Sequence, residues 1–178
     1  GELPSASISA VLGPSGAGKT FFLTALADRL GGNALVSGSV TVVTANGRYP
    51  VHSMRRVLGF APQTDVMHHA LTVEENIAFS VRMRLRERTR GEHLRLVEQC
   101  IRTLGLENVR GLTVGSDRKR GISGGQKRRT NIAMELVCDP AILFLDVRIF
   151  MSLSCVCCLH LRACDFCRDG AQVHCSAP

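Results

Sequence analysis

Apolar positions along the chain alternate between the two-residue period of strands and the longer period of helices. Ile8, Ala10, Val11 and Leu12 make a short apolar run ending at a glycine-rich loop, which predicts a buried strand over residues 7–12. Phe22, Leu23, Leu26 and Leu30 then recur at helical spacing, with Gly31 and Gly32 as the stop. Val40 and Val42 alternate with small polar residues over 38–44, and Asn46-Gly47 reads as a turn. Residues 57–61 form another short strand candidate. Thr72 and Glu75 have the spacing of a capping box ahead of Ile77, Phe79 and Val81, predicting a helix to about residue 86. A second helix begins near Gly91, with Leu94, Val97, Ile101 and Leu104 on one face and Gly105 at its end. Ser123 and Gln126 repeat the capping-box spacing ahead of Ile132, Ala133, Leu136 and Val137. Asp139-Pro140 stops that helix, and residues 141–145 are an uninterrupted apolar strand. The order predicts an α/β fold with a helical insert over about 72–136.

Composition narrows the partners only slightly. The 178 residues suffice for one domain with its own core, and 45% are hydrophobic. A net charge of +7 would suit any polyanion or a phosphorylated ligand. Aromatic residues make up only 4% and Trp is absent, so a base-stacking platform is not expected. Arg82, Arg84, Arg86, Arg88 and Arg90 alternate, but helical spacing would scatter them around the cylinder as a solvated end rather than a nucleic-acid stripe. No run approaches the roughly 18–20 apolar residues of a membrane span. Cys100 and Cys138 stand alone in helix-like segments and read as packed, reduced thiols, whereas the other six cysteines crowd residues 155–175.

The strongest chemical signal is Gly13-Pro14-Ser15-Gly16-Ala17-Gly18-Lys19-Thr20, a complete P-loop pattern between a predicted strand and a predicted helix. Glycines let successive backbone N–H groups converge on phosphate oxygens, and the helix N-terminus adds its dipole. Lys19 would reach the β- and γ-phosphates, and the Thr20 hydroxyl would ligate Mg²⁺.

Three further motifs select among P-loop proteins. Ile122-Ser123-Gly124-Gly125-Gln126 resembles the signature of ABC ATPases, and Ala61-Pro62-Gln63 resembles their Q-loop, followed by Thr72-Val73-Glu74-Glu75-Asn76. Ile142-Leu143-Phe144-Leu145-Asp146 resembles their Walker B strand. The wording around the P-loop, residues 72–76 and residues 119–129 is similar to the G (White-type) half-transporters. The resemblance covers residues 1 to about 146, a partial nucleotide-binding domain, and implies an incomplete ABC ATPase fold, a mostly parallel P-loop NTPase sheet flanked by helices with a helical subdomain insert. It implies ATP and Mg²⁺ as cofactors, with residues 13–20 on the triphosphate and Thr20, Gln63 and Asp146 around the metal. It also implies a head-to-tail dimer in which Ser123, Gly124, Gly125 and Gln126 meet the nucleotide of a second nucleotide-binding domain. A transmembrane domain outside this chain would hold it at the cytoplasmic face of a membrane, coupling ATP binding and hydrolysis to transport. Ser123 taken alone reads equally as a plain helix N-cap.

The pattern breaks after Asp146. Val147 stands where the family places a glutamate that polarises the attacking water, so the chain is expected to bind Mg·ATP and hydrolyse it poorly. The D-loop residues are missing, and His174 lies in a strand-like segment with the wrong flanks for a switch histidine. Few residues precede Ser7, which leaves no place for the adenine-stacking aromatic, and Tyr49, the single tyrosine, falls in a turn region. Residues 147–178 read as a cysteine-rich tail, disordered or mistranslated. Its pairs Cys155/Cys158 and Cys164/Cys167 sit closer together than structural zinc pairs usually do. Two rival readings are a non-catalytic nucleotide-binding fragment and a soluble ABC ATPase unconnected with transport.

Overall fold

Capping chemistry places most helix starts in the computed structural model, which describes residues 2–4, 7–31, 37–44, 46–116, 121–146 and the backbone of 172–176. The described elements are β1 (Glu2–Leu3), α1 (Lys19–Leu26), β2 (Ser39–Thr44), β3 (Gly47–Pro50), β4 (Leu58–Ala61), α2 (Val73–Arg84), α3 (Arg90–Thr103), α4 (Gly124–Leu136), β5 (Ile142–Leu145) and β6 (Gln172–Ser176). A 3₁₀ segment, Val51–Val57, leads into β4 and another, Glu107–Val109, follows α3. Val147, the two CxxC pairs and the basic residues Lys119 and Arg120 lie outside the described residues.

The chain divides into two compact units. The first comprises Gly1–Leu58, Pro140–Phe144 and Leu161–Pro178. Its sheet runs β1-β6-β2-β3 with every pair antiparallel. Val42 and Thr44 of β2 are buried, as a period-two pattern requires. Thr44 pairs with Gly47 and Tyr49 belongs to β3, so Gly47 lies in a strand rather than in the predicted turn. His174 lies on β6, in register with Glu2 and Thr41.

Two expectations for this unit fail. Residues 7–12 are not a strand, and Ile8 and Leu12 are 64% and 74% exposed. An apolar run records a preference for burial, but a strand also needs a hydrogen-bonding neighbour, and among the described residues none pairs with this segment. Helix α1 also ends at Leu26 rather than near Leu30. Asp28 takes a left-handed conformation (φ 52), and Asp28 N–H and Arg29 N–H return to the carbonyls of Ala25 and Thr24 at 3.1 and 2.8 Å. That is the paired closure of a Schellman motif. Arg55 holds the Asp28 carboxylate at 2.6 Å.

The second unit comprises Gly59–Asp139 and Leu145–His160, and its core is helical. Val73, Ile77 and Val81 of α2, Val97, Cys100 and Ile101 of α3, and Ala133 and Met134 of α4 are buried together. Two residues assigned to apolar faces are instead exposed: Leu94 (59%) and Phe79 (43%), the latter edge-to-face with His68 at 5.4 Å. Capping boxes close α2 (Thr72 with Glu75) and α4 (Ser123 with Gln126) as read, and a third closes α3 (Thr89 with Glu92). Arg110 ties the start of α2 to α3, pairing with Glu74 at 2.6 Å and Glu98 at 3.1 Å. Burial raises the Cys100 thiol to about 12, so it is an inert packed group.

Strands β4 and β5 form a two-stranded sheet. Ala141 N–H donates to the Val57 carbonyl at 2.8 Å and Asp146 N–H to the Ala61 carbonyl at 3.0 Å. The register advances in the same direction on both strands, which makes the pair parallel.

Candidate nucleotide-binding site

The P-loop residues belong to the first unit. Gly16 and Gly18 have φ of 82° and 83°, conformations that side chains disfavour, and Gly18 is the N-cap of α1. A glycine at that cap offers no oxygen to the helix's first amides, and α1 has no acidic residue in its first turn. Lys19 arches back over the loop, donating from Nζ to the carbonyls of Gly13 at 2.9 Å and Pro14 at 2.6 Å. Ala17 N–H closes the turn onto the Pro14 carbonyl at 3.3 Å. The loop is therefore a ring of backbone curled around an ammonium, with Thr20 exposed beside it.

Helix polarity separates the ends meant for anions from those already neutralised. Among the four described α-helices, α2 carries Glu74 and Glu75 and α3 carries Glu92 in the first turn, whereas α1 and α4 carry no acid there. Donors from Thr72 to Glu75 and from Thr89 to Glu92 hold both carboxylates below the usual range. Only α1 and α4 keep an uncompensated positive pole, and these are the two helices that the sequence associates with phosphate.

The signature, Gln63 and Asp146 belong to the second unit. Ser123 Oγ accepts from Gln126 N–H at 3.3 Å, and Gln126 Oε1 accepts from Ser123 N–H at 2.8 Å. Ser123 is thus a helix N-cap whose hydroxyl proton remains to be given, with Gly124 and Gly125 exposed after it. Gly121 is required by close approach, since a Cβ there would lie 2.1 Å from the Val114 carbonyl oxygen. A residue that motif reading did not weigh individually brings Gln63 and Asp146 together. Arg128 Nη1 donates to the carbonyls of Pro62 at 2.5 Å and Gln63 at 3.2 Å, while its Nη2 donates to the carbonyl of Asp146. Asn131, one turn later, donates to the Pro62 carbonyl at 3.2 Å. Arg129 turns the other way, to the carbonyls of Leu104 and Gly105. Behind this loop, buried Glu135 accepts from Phe60 N–H at 3.1 Å and takes Arg84 in a two-pronged ion pair. Of the alternating arginines, Arg84 is therefore no solvated end; a buried carboxylate recruits it.

The family model for ABC transporters matches residues 1–147. The chain belongs to the ABC transporter family. It is 46% identical to ABC transporter G family member 28 of Arabidopsis thaliana over 148 residues, 82% of this chain and 13% of that protein. It is 40% identical over 147 residues to ABC transporter G family member 25 of Oryza sativa subsp. japonica, covering 82% of the chain and 14% of the relative. A third relative, ABC transporter G family member 13 of Arabidopsis thaliana, is 43% identical over 144 residues, or 78% and 20%. The chain spans only a minor share of these curated relatives' length. The G-type wording of the motifs is borne out by them. The ABC transporter domain carries the α/β P-loop NTPase fold, of which β4 and β5 are the small parallel sheet among the described residues. No described helix is long and apolar enough to cross a membrane.

Proposed function

We propose that this ABC transporter domain binds Mg·ATP and serves a G-type exporter as one of two nucleotide-binding domains. The observation that carries the proposal is the P-loop itself: an acid-free helix N-terminus, two left-handed glycines and an ammonium poised on loop carbonyls. Lys19 would exchange the Gly13 and Pro14 carbonyls for β- and γ-phosphate oxygens. That swap replaces neutral acceptors by anionic ones and roughly doubles the strength of each hydrogen bond. Backbone N–H groups of residues 15–20 would take the remaining phosphate oxygens. Thr20, Gln63 and Asp146, the ligand set that the family resemblance implies, carry oxygen donors of the hard kind that suits Mg²⁺, which when bound would neutralise phosphate charge. Ser123, with the amides of Gly124 and Gly125, would meet the nucleotide of a second nucleotide-binding domain. A transmembrane domain would receive the resulting motion and hold the chain at the cytoplasmic face.

Val147 gives the proposal its second part, a slow hydrolytic step. Valine can neither accept a proton nor orient water, and a missing general base costs on the order of 10²–10⁴ in rate. Competition between nucleotides tests the binding reading. A triphosphate grip predicts that ATP displaces a fluorescent ATP analogue while AMP at the same concentration leaves it bound; equal displacement by the two would refute it.

A further inference from the structure

Each hydrogen bond that Arg128 makes among the described residues ends on a main-chain oxygen. Its guanidinium is half-buried. Among the described residues it forms no ion pair with the Asp65 or Asp146 carboxylate; it reaches the carbonyls of Pro62, Gln63 and Asp146 instead. Taking a cation part-way out of water costs free energy that its hydrogen bonds must offset, and here all of them fall on three main-chain carbonyls. Two of the three gripped residues are those that the proposed function places at Mg²⁺. A planar fork can hold diverging carbonyls at fixed angles, which a lysine ammonium on a flexible stem cannot. Arg128 also sits on α4, whose first turn is the signature cap of Ser123 and Gln126.

We infer that Arg128 is a positioning residue: its fork across the Gln63 and Asp146 carbonyls sets both side chains for the Mg²⁺ of a bound nucleotide. The inference rests on the Mg·ATP reading and goes beyond it by assigning a role to a residue outside the ligand set. Asn131 supplies the comparison. It grips the same loop through the Pro62 and Thr64 carbonyls (3.2 and 3.5 Å) and, among the described residues, makes no hydrogen bond to Asp146.

The test titrates Mg²⁺ into the full chain with a fixed concentration of fluorescent ATP analogue and reads the Mg²⁺ midpoint, alongside binding in EDTA. Removing a supporting partner of metal ligands commonly weakens the metal about tenfold or more, so Arg128→Ala should raise the midpoint about tenfold while binding in EDTA stays unchanged. Arg128→Lys, which keeps the charge but not the fork, should raise it at least about threefold and carries the test if the alanine variant does not fold. Asn131→Ala should keep the midpoint within about twofold. An unmoved midpoint in the folded Arg128 variant, or an equal shift in Asn131→Ala, overturns the inference. Failure of the unmutated chain to bind the analogue at all, with or without Mg²⁺, would instead overturn the nucleotide-binding reading.

Discussion

Removing the Glu135 carboxylate should be among the costlier single changes in the second unit. Its side chain is 8% exposed and accepts three hydrogen bonds, from Phe60 N–H at 3.1 Å and from Arg84 at 2.7 and 2.5 Å. Glu135→Ala removes the carboxylate oxygen that accepts from the Phe60 amide, a loss of about 1–3 kcal/mol. It also strands the Arg84 guanidinium, which the Glu135 hydrogen bond now holds above its ordinary proton affinity. Breaking a fully buried pair costs about 3–5 kcal/mol, but the Arg84 side chain is 40% exposed and can turn to water, so only a fraction applies. Together these suggest about 3 kcal/mol. With a urea dependence of about 2 kcal/mol per molar, the unfolding midpoint should fall by about 1.5 M. Glu135→Gln retains an acceptor for Phe60 and should lose about half as much. Urea titration followed by circular dichroism measures both. A fall below about 0.3 M for Glu135→Ala, or equal losses for the two variants, would refute the reasoning.

Two further outcomes concern pH and turnover. Glu75 and Glu92 have folded-state affinities for protons below the ordinary carboxylate value of 4.5, so their capping contribution is present above that pH and is lost as pH falls below it. Protection of the first-turn amides of α2 and α3, taken relative to the intrinsic exchange rate at each pH, should fall as pH drops below the ordinary carboxylate value, and Glu75→Gln should flatten that response for α2 alone. Val147→Glu should raise ATP turnover by about 10²–10⁴ in a phosphate-release assay, whereas an unchanged rate would remove Val147 as the cause of slow hydrolysis.

Local chemistry was legible in the sequence to the extent that it depends on near neighbours. Thr72 with Glu75 and Ser123 with Gln126 are spaced for reciprocal bonds, and both helices start there. Thr89 with Glu92 has the same spacing, but the surrounding run of arginines draws attention to charge instead. The P-loop is equally local, since its glycine conformations and its lysine lie within one short turn. What fails to read out depends on distant chain. Residues 7–12 have the composition of a strand without a described pairing partner, and no periodicity reports a partner. Leu94 follows the helical spacing of Val97 and Ile101 yet lies outward, because the core is set by what α2 and α4 present to α3. Arg128 lies between two other basic residues, and only the fold shows that its acceptors are the carbonyls of residues 62, 63 and 146.

Calorimetric titration of Mg·ATP into the unmutated chain and into Lys19→Ala tests the central claim most directly. The unmutated chain should bind with measurable heat. Loss of a charge-assisted hydrogen bond worth about 1.5–3 kcal/mol should weaken the variant roughly 10- to 100-fold. Equal affinity in the two folded proteins, or no heat in either, would contradict the assignment of residues 13–20 as a phosphate cradle.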